Sequence, residues 1–383
     1  MKIGIEAQRI FRKNKHGMDY VVLQEIKELQ QMDTENEYYV FVKPGEDHCV
    51  ESSQNVRVIE LSCPTYPLWE QWALPRAAKK YGVEILHCTS NTAPLWCDVP
   101  LVLTLHDIIF LEPRDRHLQK LSRYQDMGRI YRRLVVPRII KNCKRIITVS
   151  NFESNNIIDH FHLNTKRISM LYNSYDEAFS IQKNRERDIS KYIDNPGYFL
   201  ILGNTDYRKN TERMIFAYAK YLKHSKSKRK LLVTSLSKDY IYRILTDNGI
   251  ENIKEQIVLT DYLPFADLPS IYHHAFCFLF ASLREGFGIP ILESMACGTP
   301  VITSKTSSMP EVAGSDAILV NPESSDEITE MMLRLENDVS FYEQQKKIGL
   351  ERAKLFSWRK TAENLLTIYK EVYQETKEQG IIV

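Results

Sequence analysis

The densest run of chemistry-bearing residues is Arg284-Glu285-Gly286-Phe287-Gly288-Ile289-Pro290-Ile291-Leu292-Glu293, which follows the apolar stretch Phe276–Phe280. Gly286 and Gly288 let the backbone approach a ligand closely, and Pro290 suits the first turn of a helix, where a missing N–H costs nothing. A glycine loop that opens a helix presents N–H groups without intrahelical partners, which suits a diphosphate. The candidate phosphate contacts are therefore the backbone groups of Gly286, Phe287, Gly288 and Ile289. Glu285 in the loop and Glu293 in the helix flank them. Carboxylates beside an anion site are poor phosphate ligands but good acceptors for sugar hydroxyls.

Two other phosphate-binding devices are absent from the sequence. The opening strand pattern Lys2–Glu6 runs into Ala7-Gln8-Arg9-Ile10, and no strand pattern in either half is followed by G-x-G-x-x-G, which sets aside a dinucleotide enzyme. The G-x-x-x-x-G-K-[ST] pattern of P-loop enzymes is also missing. Seven cysteines (Cys49, Cys63, Cys88, Cys97, Cys143, Cys277 and Cys297) form no C-x-x-C pair and no zinc-like spacing, so no metal site is expected from them. Several sit in apolar runs such as Ala275-Phe276-Cys277-Phe278 and read as reduced core residues of a cytoplasmic protein. A formal net charge of +2 supplies no global field to attract nucleic acid.

The elements that must position these residues alternate between short apolar runs and longer amphipathic ones, the pattern of parallel strands joined by crossover helices. In the first half, strands are expected at Lys2–Glu6, Tyr38–Val42, Val56–Glu60, Glu84–His87, Leu101–Leu105, Arg145–Val149 and Arg167–Tyr172, with a helix over Tyr20–Gln31. Ser180 to Pro196 is polar, charged and poor in aliphatic residues, and reads as a linker. A second series follows at Tyr198–Gly203, Lys230–Thr234, Gln256–Leu259, Phe276–Phe280, Pro300–Thr303 and Ala317–Val320. The 383 residues, 43% hydrophobic and 26% charged, are thus expected to form two doubly wound α/β domains. Such sheets bind ligands beyond their strand carboxyl ends, so a cleft between facing domains is the expected active site. The start Met1-Lys2-Ile3-Gly4-Ile5 lacks a signal-peptide apolar region and no run of about 18 apolar residues occurs, so neither export nor a membrane span is expected.

Glu285…Glu293, with the surrounding E-G-F-G-I-P-I-L-E-S-M-A-C-G-T-P-V-I, resembles the E-x7-E pattern of glycosyltransferase family 4. The resemblance extends along the chain to Gly203-Asn204-Thr205-Asp206-Tyr207-Arg208-Lys209-Asn210, to Pro310-Glu311-Val312-Ala313-Gly314 and to Phe356-Ser357-Trp358. It implies a GT-B fold: residues 1–180 as an acceptor-side Rossmann-like domain, 181–360 as the nucleotide-sugar domain, and a final helix over 361–383 crossing back with Leu365, Leu366, Ile368, Tyr369 and Val372 as its apolar face. It also implies that Glu285 holds hydroxyls of the donor sugar, Glu293 the ribose, and Arg208 and Lys209 the diphosphate of a GDP- or UDP-hexose. With these cations and no D-x-D in the chain, a metal is not required. The implied activity is retaining hexosyl transfer, mannose being the first guess, to a glycan or lipid-linked acceptor in polysaccharide or glycoconjugate assembly. A sugar-nucleotide epimerase, a phosphorylase and a catalytically silent sugar-nucleotide-binding protein are the alternatives.

The first half supplies weaker signals. Gly17, in Lys15-His16-Gly17-Met18, is expected just before the first helix in the place of the family's glycine-rich first loop, with its second glycine missing. His106 ends the strand Leu101–Leu105, and the resemblance gives it a hydrogen bond to the donor sugar. Ser150 is expected to cap a helix and is a candidate ligand. Asn204 follows Gly203 where the family commonly has arginine or serine, and Asn173-Ser174 replaces an Asn-Gly pair. From Leu118 to Arg145, Lys120, Arg123, Arg129, Arg132, Arg133, Arg138, Lys141, Lys144 and Arg145 are interleaved with apolar residues. With Trp69 and Trp72 as interfacial anchors, that stretch is a candidate for contact with an anionic membrane at the inner face of the cell.

Overall fold

The structure, a computed structural model, describes residues 1–113, 123–181 and 187–380. It divides into two units, Met1–Asn173 with Ser357–Val383, and Ser174–Phe356. The first unit holds seven strands: β1 (Lys2–Glu6), β2 (Glu37–Val42), β3 (Val56–Glu60), β4 (Ile85–Cys88), β5 (Leu101–Thr104), β6 (Arg145–Thr148) and β7 (Ile168–Met170). They lie side by side in the order β3-β2-β1-β4-β5-β6-β7, every pairing parallel. The second unit repeats the scheme with β8 (Tyr198–Leu202), β9 (Leu231–Thr234), β10 (Ile257–Thr260), β11 (Ala275–Phe280), β12 (Val301–Ser304) and β13 (Ile318–Val320), in the order β10-β9-β8-β11-β12-β13. In each sheet the chain winds outward from a central pair, β1/β4 or β8/β11, leaving a switch point where the two windings diverge.

Helices cover both faces of the first sheet, which is why its strands are apolar on both sides. On one face Val22, Ile26 and Leu29 of the helix Gly17–Met32 and Leu365, Ile368, Tyr369 and Val372 of the helix Trp358–Glu378 pack on Ile3, Ile5, Val40 and Ile85. On the other, Val136, Ile139 and Ile140 of the helix Arg123–Asn142 pack with Leu86, Leu103 and Ile146. Arg145 fixes the last helix through Glu371 (3.0 Å) and Glu375 (2.8 Å). The buried His87 links Tyr369 and Thr104, at 2.7 Å each, and burial pushes its pKa down to about 3, so it is a neutral structural bridge.

Several expectations need correction. The first helix starts at Gly17, because Asp19 accepts the His16 N–H (2.7 Å) in a capping box. A Cβ on Gly17 would meet nothing within 4 Å, and no left-handed φ requires glycine there. The stretch 187–196 is not a bare tether. Ile189 and Ile193 are buried, and Asp267 gathers Arg187 (3.2 Å), Lys191 (2.8 Å) and the Tyr192 hydroxyl (2.7 Å). Its two isoleucines sit among charges, so composition masked them. Trp69 is no interfacial anchor: it is fully buried and donates to the Leu61 carbonyl (2.9 Å), whereas Trp72 is exposed. All seven cysteines are free; Cys88, Cys143, Cys277 and Cys297 are buried, and Cys49, Cys63 and Cys97 lie at the margins of the core. Of the basic stretch, residues 118–122 and the Arg123 side chain lie outside the described residues.

Candidate active site

At the switch point of the second sheet, the loops leaving β8 and β11 meet. Gly203 donates to the Thr234 carbonyl (3.0 Å), and a Cβ there would come within 2.2 Å of that oxygen, so only glycine fits. Asn204 accepts the Asp206 N–H through Oδ1 (2.8 Å) and the Thr211 hydroxyl through its carbonyl (3.1 Å), which folds the loop back on itself. Asp206 in turn holds Arg208, accepting from its N–H (3.1 Å) and its Nε (3.0 Å). Burial works against the Asp206 charge, but Arg208 outweighs it and holds the carboxyl below the ordinary range. Asn210, at a left-handed φ of 59°, donates to the carbonyls of Ala281 (2.8 Å) and Pro322 (2.7 Å), and Leu283 donates to the Arg208 carbonyl (2.7 Å). These bonds bring Lys209 to Glu285, with Nζ at 2.7 Å and 3.0 Å from the two carboxylate oxygens.

A third loop, after β12, braces the glycine loop from behind. Ser307 accepts the Glu285 N–H (3.1 Å) and donates to the Glu285 carbonyl (2.6 Å); the Ser308 hydroxyl donates to the carbonyls of Glu285 and Phe287, both at 3.0 Å. In a trans peptide the carbonyl of one residue and the N–H of the next point opposite ways. The Gly286 and Gly288 N–H groups are thus turned away from the serines. Gly288 takes a φ of 106°, which an L side chain rarely adopts, and leads into the helix Ile289–Ala296. The Phe287 side chain is buried edge-on against Phe356.

Glu293 lies one turn into that helix and accepts from the Tyr272 hydroxyl at 3.1 Å. Part of the residue remains accessible, yet its carboxyl is packed deeply enough that burial pushes it up to about 7, against the opposing Tyr272 bond. Among the described residues it has no cationic partner, in contrast to Glu285.

Comparison with known proteins decides the family. The family described as Glycosyltransferase Family 4 matches residues 16–179, and the family described as Glycosyl transferases group 1 matches residues 182–352. The chain is a family 4 glycosyltransferase. It is 29% identical over 314 residues to the O-antigen chain mannosyltransferase B of Escherichia coli, covering 80% of this chain and 78% of that one. Its fold is similar to that of a glycosyltransferase from Rickettsia africae (TM-score 0.71, 16% identity, 97% of this chain and 98% of that one). It is similar also to that of HepE from Anabaena in complex with UDP-glucose (TM-score 0.70, 15% identity, 97% of this chain and 100% of that one). The fold is GT-B.

The remaining expected site residues of the glycosyltransferase belong to its first unit. His106 is buried, and its Nε2 lies 2.9 Å from the Thr89 carbonyl. A carbonyl can only accept, so Nε2 carries the proton and Nδ1 is the acceptor atom. Burial lowers the pKa of His106, which favours the neutral ring. Ser150 caps the helix Asn151–Phe161 by accepting the Glu153 N–H (3.1 Å). Gly17 is the first residue of the helix Gly17–Met32. The sequence reading missed Asn210, Tyr272, Ser307 and Ser308. A polar run between a strand and a proline helix start, Ser304-Lys305-Thr306-Ser307-Ser308-Met309-Pro310, could have marked the serines; nothing local marks Tyr272.

Proposed function

We propose that this glycosyltransferase moves a hexose, mannose first, from a nucleoside diphosphate to a glycan or lipid-linked acceptor in polysaccharide or glycoconjugate assembly, with retention of configuration. The observation that carries the reading is the Lys209–Glu285 contact beside the backward-braced glycine loop. A sugar nucleotide needs both halves of that arrangement, an acceptor carboxylate for its sugar hydroxyls and cations with N–H groups for its diphosphate. The leaving diphosphate gains negative charge as the glycosidic bond breaks, and fixed cations there stabilise the transition state more than the ground state. Lys209 serves in that role. Arg208 contributes less, because Asp206 already offsets its charge. Gly286, Phe287, Gly288 and Ile289 offer backbone N–H groups to the phosphates, Glu293 the ribose contact, and His106 accepts a sugar hydroxyl at Nδ1. Asn204 and Ser150 shape the backbone in this reading and touch no ligand through their side chains.

Mannose is supported by the name of the Escherichia coli relative, and a nucleotide donor by the UDP-glucose bound to HepE. GDP- and UDP-hexoses are separated by a thermal-shift screen of GDP, UDP, ADP and their sugars, followed by turnover with candidate acceptors in excess EDTA. Nucleotide release that depends on acceptor and survives chelation supports the reading. Release of an epimerised sugar, phosphorolysis, or binding without turnover each replaces it.

A second observation bears on where the acceptor is met. Tyr124, Met127, Ile130 and Leu134, spaced along one face of the helix Arg123–Asn142, are between 54% and 81% exposed. Arg133, Arg138 and Lys141 of the same helix are exposed beside them. Apolar side chains with flanking cations support peripheral contact with an anionic membrane. Such contact supports transfer at the cytoplasmic face, where a soluble donor and a lipid-linked acceptor coincide. No helix among the described residues is long and apolar enough to cross a membrane.

A further inference from the structure

At the centre of the first sheet β1, β4 and β5 lie side by side, with Glu6 opposite Cys88 and Cys88 opposite Leu103, so the chain leaves the three strands close together. β4 runs out into Thr89-Ser90-Asn91, and β5 into Leu105-His106-Asp107. Glu6, Thr89, Asn91 and His106 are each more than nine-tenths buried. Polar side chains so enclosed must find partners inside the protein, and here they fix one another.

Glu6 acts on residue 89. Its carboxylate accepts the N–H groups of Gln8 (3.0 Å) and Thr89 (3.2 Å), and the Thr89 hydroxyl donates to the Glu6 carbonyl (2.6 Å). Held at its N–H and its side chain, Thr89 points its own carbonyl at His106 Nε2, 2.9 Å away. Asn91 acts on the histidine backbone: its Oδ1 accepts the His106 N–H (2.7 Å), while its own N–H donates to the Thr104 carbonyl (3.2 Å). It takes a left-handed φ of 66°, which asparagine tolerates better than most residues. Ring and backbone of His106 are thus held by one turn, Thr89 to Asn91. Nδ1 is treated differently. Among the described residues no donor bonds to it, and it is not one of the buried side-chain atoms left without a partner, so it retains accessible surface.

We infer that Glu6 and Asn91 are positioning residues for His106, which hold its ring protonated at Nε2 and present Nδ1 as the acceptor for a hydroxyl of the donor sugar. A free neutral imidazole exchanges its proton between the two nitrogens and can turn over about χ2, and either change puts an N–H where an acceptor is required. The fixed Thr89 carbonyl opposes both, because a bare ring nitrogen set against it would leave two acceptors facing each other. Glu6 is fully buried and reaches the histidine only through Thr89. The inference rests on the reading of His106 as the group that accepts a sugar hydroxyl.

The protonation of the ring is read on the full chain, with isotope-labelled histidine rings, by proton–nitrogen correlation NMR; the His106 signals are those that vanish in His106→Ala. Wild type shows a protonated Nε2 and an unprotonated Nδ1. Glu6→Gln sets an amide N–H against the N–H of Thr89 or Gln8, and Asn91→Gly removes the bond to the His106 N–H while the left-handed turn stays relaxed. In both variants the two nitrogen shifts move toward the averaged values of a free imidazole. Glu6→Asp, which keeps the carboxylate on a shorter stem, moves them less than Glu6→Gln. Turnover separates positioning from plain destabilisation. With GDP-mannose and UDP-glucose as donors, Asn91→Gly lowers kcat by about tenfold and leaves the affinities for GDP and UDP, which carry no sugar, unchanged. Added to His106→Ala it lowers kcat no further, since the group through which it acts is gone. A wild-type ring protonated at Nδ1, nitrogen shifts that stay at wild-type values in the variants, or losses that multiply in the double variant overturn the proposal. If neither donor is turned over, the donor reading fails separately, and the nitrogen shifts still decide whether Glu6 and Asn91 position the ring.

Discussion

The Lys209 ammonium lies 2.7 Å and 3.0 Å from the two carboxylate oxygens of Glu285, a contact that ties the loop after β8 to the loop after β11. The two groups that the proposed function assigns to diphosphate and sugar therefore neutralise one another. Removing one partner leaves the other uncompensated, with consequences that differ in sign. Glu285→Ala releases a cation beside the phosphate loop, so free nucleoside diphosphate binds as tightly as to wild type or slightly tighter, while turnover falls. Glu293→Ala weakens nucleotide and sugar nucleotide alike, by roughly 1–3 kcal/mol. Lys209→Ala leaves Glu285 facing the diphosphate, and kcat falls by about a hundredfold or more. Calorimetry and turnover on the three variants check the pattern; equal losses of nucleotide affinity in Glu285→Ala and Glu293→Ala contradict it.

Burial pushes the Glu293 carboxyl up to about 7. In the proposed ribose contact the hydroxyls donate to the carboxylate, so binding would favour the ionised form and release a proton. Nucleotide affinity accordingly rises from pH 6 to pH 8 and then levels. The ligand's own phosphate ionisation is removed by comparison with Glu293→Gln, in which the Glu293 component of the slope disappears. A difference between wild type and variant that is flat across this range counts against the ribose contact.

Much of the fold was legible in the sequence because both sheets are parallel and buried on two faces. Runs such as Tyr198-Phe199-Leu200-Ile201-Leu202 and Ala275-Phe276-Cys277-Phe278-Leu279-Phe280 are apolar without alternation and bounded by polar residues. The glycine loop was legible for a different reason: glycines, a proline at a helix start and two carboxylates each carry a local meaning. What local reading could not find is what topology brings in from elsewhere. Tyr272 reaches Glu293 across a helix pair, and Ser307 and Ser308 reach Glu285 from the next crossover, along with the Asn210 bonds to two carbonyls that are distant in sequence. The start of the first helix was misread because His16 is an uncommon N-cap and the capping carboxylate is an aspartate.

Gly203 and Gly17 make opposite predictions. At Gly203 an added Cβ meets the Thr234 carbonyl oxygen at 2.2 Å, a backbone atom that cannot step aside. Gly203→Ala displaces the loop that carries Lys209 and costs about 1–3 kcal/mol of stability together with nucleotide affinity. Gly17→Ala meets nothing within 4 Å in the first turn of a helix and raises stability by about 0.5–1 kcal/mol. Chemical denaturation of both variants decides; a neutral Gly203→Ala contradicts the close packing.

The exposed face of the helix Arg123–Asn142 makes vesicle binding depend on apolar and charged residues separately. Replacing Met127 and Ile130 by Ser lowers partition into anionic vesicles at every salt concentration. Replacing Arg133, Arg138 and Lys141 by Gln lowers it chiefly at low salt, by about 1 kcal/mol for each charge lost. Nucleotide affinity is unchanged in both. Wild-type protein that fails to sediment with anionic vesicles removes the membrane reading.

Glu25, in the first unit, supplies a test of stability. It lies on the helix Gly17–Met32, 5% exposed, and burial alone pushes its carboxyl from 4.5 up to about 8. Tyr369 of the helix Trp358–Glu378 lies within its field. Below about pH 4.5 the carboxyl is neutral in the folded and unfolded chain alike, and it contributes no penalty. As pH rises from there to about 8, the unfolded chain gives up the proton while the folded chain holds it, so stability declines with pH. Above 8 both forms are ionised and the penalty is constant. Glu25→Gln removes the titration, so its stability relative to wild type climbs through this window, by an amount on the order of 1–4 kcal/mol between pH 4.5 and pH 9. The buried amide adds an offset that does not vary with pH, which is why the slope and not the absolute difference is the readout. Parallel pH dependence of the two melting temperatures between pH 5 and pH 9 would show that Glu25 reaches solvent or a partner in the folded protein.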